Sequence, residues 1–185
     1  MQRLPSVELE NATGKAETLL SGVKSKLGSV PNIFKAFANS PAALKGYLDL
    51  SGALSTGVLS SAVREQIALA VAGENGCDYC ASAHTAIGST VGVPQEELTR
   101  NLSGDSSDPR VKTLLSFAKS VVKSRGVIAD SQLTELRQTN FTDEEIVEVI
   151  ANVALNIFTN YFNHIVNTEI DFPVVNTEQR RACAA

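Results

Sequence analysis

Apolar residues recur along this chain three and four positions apart, with no sustained alternation, and that periodicity predicts an all-α fold. Leu20, Val23 and Leu27 mark a helix over 16–27 that Gly28 closes. Pro31 opens a short helix carrying Phe34 and Phe37. Pro41 opens the next, over 42–54, with Leu44, Tyr47 and Leu48 on one side. Ser60 or Ser61 caps a helix that runs to Glu74. Its centre, Ile67 to Ala72, is apolar all round and belongs in the middle of the fold or of an oligomer. Asn75-Gly76 stops that helix, and another starts near Cys77. Pro94 begins a short acidic-headed turn to Leu102, and GDSSDP reads as a loop. Val111, Leu114, Leu115, Ala118, Val121 and Val122 define an amphipathic helix from Asp108 to near Gly126. Asp130 or Ser131 caps a short one. Thr142 and Glu145 form a capping box for a long helix whose apolar stripe is Ile146, Val149, Ile150, Val153, Ile157, Tyr161 and Ile165. The tail after Pro173 is expected to be mobile, with Cys183 an exposed bystander.

A chain of 185 residues suits one domain with a substantial core, here 16–173. The net charge of −4 and the absence of a basic patch argue against nucleic acid or an anionic membrane surface as the partner. No run approaches the roughly 18 apolar residues of a membrane span, and the N-terminal MQRLPSVELENATGK lacks the pattern of a signal peptide. These features predict a cytoplasmic protein. In a reducing compartment its three cysteines do not make a disulfide scaffold.

Two of those cysteines change the picture. In AGENGCDYCASAHTAIG, Cys77 and Cys80 fall in the first turn of a predicted helix, and His84 follows one turn later on the same face. Cα atoms three residues apart on a helix are about 5 to 6 Å apart, within reach of a disulfide. Free N–H groups and the positive end of the helix dipole favour a thiolate there. Dithiol redox chemistry is the leading reading. A zinc site and buried inert thiols are the alternatives, and zinc would need further ligands, for which only the distant His164 and Cys183 are candidates. For His84 alone the plain reading is a satisfied core histidine.

If the helices on either side of Gly76 form an antiparallel hairpin, Glu65 and His84 are offset by only about 5 Å along it. A relay of Glu65, a water, His84 and Cys80 could then move the thiol proton. Against it stands Glu65 as a solvated charge favoured by the helix dipole. Glu145 and His164 repeat the Glu65 to His84 interval, but the intervening residues match poorly and coincidence is preferred over duplication. No metal, haem, flavin or nucleotide motif is present.

Glu65, Cys77, Tyr79, Cys80 and His84, together with SVPNIF (29–34), LLSFAKSV (114–121), TDEEIVEVIANVALNIFTNYFNHI and DFP, resemble the carboxymuconolactone decarboxylase and alkylhydroperoxidase D (AhpD) superfamily. The similarity is greatest to its branch of uncharacterised peroxidase-related proteins and covers 28–173. The resemblance implies an AhpD-like helical fold built around an antiparallel hairpin carrying CxxC, and homo-oligomers such as trimers or hexamers. It also implies thiol-dependent reduction of a small-molecule hydroperoxide. Cys80 would be the buried peroxidatic thiol, Cys77 the more exposed resolving thiol, and Glu65 with His84 the proton relay. An external dithiol, lipoyl- or thioredoxin-like, would regenerate the pair. Tyr79 stands where AhpD itself has a histidine, and a phenol with a pKa near 10 cannot replace imidazole as a base at pH 7. A carboxymuconolactone-decarboxylase-type enzyme and a non-catalytic redox sensor or binding protein are the competing readings.

Overall fold

The computed structural model describes residues 1–177, and among them it holds helices and no strand. The chain is all-α, with the AhpD-like helical fold. A 3-10 turn at Leu9–Asn11 leads into α1 (Gly14–Leu27), α2 (Asn32–Phe37) and α3 (Pro41–Leu54). The hairpin is α4 (Ser61–Asn75) and α5 (Asp78–Thr90). Then follow α6 (Gln95–Asn101), α7 (Pro109–Ser124), α8 (Asp130–Gln138) and α9 (Asp143–Val166).

The helix with no polar face sits where that pattern requires. Every residue from Ile67 to Ala72 is at most 1 % exposed, and α4 packs against α5, α6, α7 and α9. Leu69 and Ala72 join one apolar cluster with Leu20, Phe37, Leu44 and Leu98. Ile67, Ala70 and Val71 join a second with Leu114, Leu115, Val149 and Val153. One helix therefore serves two cores, and truncating a large side chain such as Leu69 to Ala should cost about 2 to 5 kcal/mol.

Local chemistry sets the ends of α4. The Ser60 hydroxyl accepts a hydrogen bond from the Val63 N–H. At the other end Gly76 adopts φ 73°, and the Cys77 N–H donates back to the Ala72 carbonyl at 2.9 Å, the six-to-one bond of a Schellman stop. Gly73 allows α6 to close in: a Cβ there would lie 1.8 Å from the Leu102 carbonyl oxygen.

Three expectations need correction. Leu27 is 52 % exposed, because the buried face of α1 is Ala16, Leu20 and Val23, with Leu19 partly buried beside it. The apolar stripe expected along α9 holds for Ile146, Val149 and Val153 but fails at Ile150 and again in the second half, where Tyr161 and Ile165 are 53 % and 68 % exposed. Asn152, Asn156, Thr159, Asn160 and Asn163 are buried instead. The helix is 24 residues long and outruns the second apolar cluster, so its later turns cross a polar site. The third concerns the tail after Pro173 only as far as Thr177: residues 174–177 lie against α5, and the rest of the tail falls outside the described residues. The Val175 N–H donates to the Ser82 hydroxyl at 2.9 Å, and the Thr177 N–H and hydroxyl donate to Asp78 at 2.8 and 2.6 Å. Cys183 lies outside the described residues. Smaller is the shift at α8, which starts at Asp130 with Ala129 as its cap. No described helix is long and apolar enough to cross a membrane.

Candidate active site

The α4–α5 hairpin lays Glu65 against His84, as the spacing predicts, and closer than a water-bridged relay would need. His84 Nδ1 is 2.7 Å from Glu65 Oε2. An ionised carboxylate only accepts, so Nδ1 carries the proton and Nε2 is left for the site. The two side chains are 21 % and 17 % exposed. Burial works against a charged ring, but the adjacent Glu65 carboxylate outweighs it and raises the His84 pKa above its ordinary value. The solvated-charge alternative for Glu65 is thereby set aside.

Cys77 is the N-cap of α5, and its sulfur accepts a hydrogen bond from the Cys80 N–H at 3.4 Å. The two thiols are free, with their sulfurs 2.6 Å apart. They differ in electrostatic setting. Cys77 keeps its proton: donation to the Cys80 sulfur raises its pKa, and burial adds to this. Burial also pushes the Cys80 thiol up, but the Cys77 S–H, the charge of His84 and the amides of Asn163 and Asn160 bring it below its ordinary value. Of the two, Cys80 is the thiol whose ionisation its surroundings favour. The expected contrast in exposure is absent: Cys77 is 1 % and Cys80 2 % exposed. Both are enclosed in the first apolar cluster, but only Cys80 opens onto a cavity.

That cavity, about 650 Å³, has Cys80, His84 and Glu65 in its wall, and its apolar lining includes Ile33, Phe34, Tyr47, Leu48, Ile87 and Phe172. Tyr47 stacks against Phe37, and burial first, then the nearby Glu65 charge, pushes its phenol up to about 12. Tyr79 is a brace and not a base. Its hydroxyl donates to Asp171 at 2.9 Å and accepts from the Ile33 N–H at 3.2 Å. Burial raises its pKa far above the phenolic range. Asp171 also accepts from the Asn32 N–H at 2.8 Å, so the DFP segment ties α2 to α5 beside the thiols.

The second Glu and His pair builds nothing of this kind. Glu145 completes the α9 capping box and binds Arg110, while His164 Nε2 lies 3.3 Å from the Gly76 carbonyl on the outside of the hairpin turn. Among the described residues no three His, Cys, Asp or Glu side chains converge as a metal site. The feature that sequence reasoning missed is the asparagine face of α9, where Asn163 Nδ2 lies 3.2 Å from the Cys80 sulfur. Its signal was present: asparagines at 152, 156, 160 and 163 share one face of a helix, where asparagine is a poor helix former.

Residues 41–104 match the model of the carboxymuconolactone decarboxylase family, a stretch that includes Glu65, Cys77, Cys80 and His84. A protein from Ralstonia eutropha JMP134, described as an alkylhydroperoxidase AhpD core and an uncharacterized peroxidase-related protein, superposes with a TM-score of 0.84 at 26% identity over 92% of each chain. Over residues 41–104 the chain thus carries the carboxymuconolactone decarboxylase family pattern, and its fold is AhpD-like. Two further members of this fold are similar in shape. One is an uncharacterized peroxidase-related protein from Silicibacter sp. TM1040, with TM-score 0.78 and 23% identity over 91% of this chain and 93% of that one. The other is the debrominase Bmp8, solved as a cysteine-to-alanine variant with 2,3,4-tribromopyrrole, with TM-score 0.79 and 19% identity over 92% and 93%. At those identities they show the AhpD-like fold alone. Among curated proteins none matches in sequence.

Proposed function

We propose that this AhpD-like protein is an oxidoreductase that reduces hydroperoxides through a Cys80/Cys77 dithiol–disulfide cycle, with Glu65 and His84 as its proton relay. The observation that carries the reading is a lowered-pKa thiol facing a large apolar cavity, with a protonated thiol 2.6 Å behind it and a carboxylate-backed imidazole beside it.

The Cys80 thiolate attacks the terminal oxygen of ROOH. The S–O bond forms, the O–O bond breaks, and its electron pair leaves on RO⁻, which takes a proton from the His84 imidazolium to give ROH. Glu65 holds the ring and stabilises its charge. Cys77 then attacks the Cys80 sulfenic acid: the S–S bond forms, the S–O bond breaks, and hydroxide with the Cys77 proton leaves as water. A reducing dithiol restores both thiols by exchange. Because Cys77 is buried, that dithiol enters through the cavity and attacks the Cys80 sulfur, which favours a slender lipoyl-type donor over a protein surface. The reading places the protein in a reducing cytoplasm. A homo-oligomer, trimer or hexamer, is part of the same proposal; exposed Ile150, Phe158, Tyr161 and Ile165 on α9 support it, and light scattering tests it.

The deciding experiment titrates the reduced protein with cumene hydroperoxide, counts free thiols and locates disulfides by peptide mass. Loss of two thiols with a Cys77–Cys80 link is expected in the native protein, with no peroxide consumed by Cys80→Ser and unchanged consumption by Cys183→Ser. Undiminished consumption by Cys80→Ser would sink the assignment. A disulfide that forms but is never turned over by any dithiol would favour a redox sensor.

A further inference from the structure

A buried thiolate needs hydrogen-bond donors, and α5 alone does not supply enough of them. The titratable groups around Cys80 are Cys77, Tyr79 and His84 on its own segment, Glu65 on α4 and Tyr47 on α3. No direct hydrogen bond joins His84 to Cys80 among the described residues, so the ring acts through its charge. The face of α9 turned to the thiol brings neutral amides.

Asn163 Nδ2 donates to the Cys80 sulfur at 3.2 Å, and Asn163 is 4 % exposed. One turn earlier Asn160 is fully buried. Its Oδ1 accepts from Asn75 Nδ2 at 2.9 Å, which fixes the amide the right way round, and its own Nδ2 is left buried without a partner. The Asn163 amide thus reaches the sulfur directly, and three residues earlier on the same buried face Asn160 carries a second amide N–H that no other group claims.

We propose that Asn160 and Asn163 form an amide pocket that holds the Cys80 sulfur as a thiolate. The pocket stabilises the anion without titrating, so it acts both above and below the pH at which His84 loses its charge. A lowered pKa for Cys80, to which both asparagines contribute, agrees with this. The inference rests on Cys80 being the reactive thiol but not on peroxide being its substrate.

The test is the pH-rate profile of Cys80 alkylation by iodoacetamide, followed by peptide mass, in the reduced full-length protein carrying Cys183→Ser. Asn163→Leu removes the donor at similar volume, and Asn163→Ala removes it with less crowding, so at least one is expected to fold. The midpoint should rise by about one pH unit in the Asn163 variants, an approximately tenfold slower reaction below it, and by less in Asn160→Ala. Asn163→Gln, which retains an amide donor, should recover part of the shift. Folded Asn163 variants whose midpoint stays where the parent's is would overturn the proposal. Alkylation needs no hydroperoxide, so a shifted midpoint in a protein that consumes no peroxide would remove the peroxidase reading and leave the amide pocket standing.

Discussion

Glu65 and His84 are separated by nineteen residues, and so are Glu145 and His164, but the two pairs meet opposite fates. The first interval contains Gly76, whose left-handed conformation folds α4 back along α5 and brings carboxylate and imidazole to 2.7 Å. The second lies within the unbroken helix α9, where nineteen residues span about 28 Å. Identical residue types at identical spacing make a carboxylate–imidazole contact in one place, and in the other a helix cap and a surface histidine. What separates them is a turn.

The comparison breaks most visibly at Glu65. Glu65→Gln should lower kcat/KM for cumene hydroperoxide by about 10²-fold, because His84 loses both its orientation and the charge that keeps it protonated. The same variant should show a lower His84 titration midpoint by NMR, and an alkaline limb of the pH-rate profile moved to lower pH. An unmoved midpoint would show that the 2.7 Å contact is not an ion pair in solution.

A smaller effect is expected at the turn itself. Gly76→Ala places a Cβ at φ 73° and should cost about 1 to 2 kcal/mol in denaturant unfolding. Glu145→Gln should leave peroxide turnover within about twofold of the parent and cost about 1 kcal/mol, since Glu145 accepts from the Thr142 N–H at 2.8 Å and pairs with Arg110 at 2.7 Å. His164→Ala should move neither turnover nor stability appreciably, and a loss of turnover in it would bring the second pair back into the chemistry.

The two glutamates also separate by pH. His84 has a raised folded pKa, so the stability from its pair with Glu65 is fully present below about pH 6.5 and is lost as pH rises through the folded value. For Glu145, burial opposes ionisation, but Arg110 and the Thr142 cap lower its pKa. Its contribution is present above about pH 4.3 and disappears as pH falls through the folded value. Unfolding of the parent, Glu65→Gln and Glu145→Gln across pH should therefore show differences that close at the alkaline end for the first and at the acid end for the second.

Helix starts and stops were legible because their causes lie within four or five residues along the chain: Ser60 to Val63, Gly76 back to Ala72, Thr142 to Glu145. The hairpin offset of Glu65 and His84 was legible for a related reason, since one turn and two regular rises determine it. Burial of the later half of α9 was not. Periodicity says which residues share a face, and hydrophobicity ordinarily says which face goes inward, but here much of the buried face is polar, and Asn163 on it meets the Cys80 sulfur. Nor could sequence show that Cys77 is as enclosed as Cys80, or that Tyr79 is engaged by Asp171, 92 residues away. The chain alone determined its helices, its cysteine pair and the reach of its histidine. The tertiary structure decided which sulfur meets the cavity and which amides, 83 residues distant in the case of Asn163, surround it, because those contacts depend on where helices cross and no local spacing encodes a crossing.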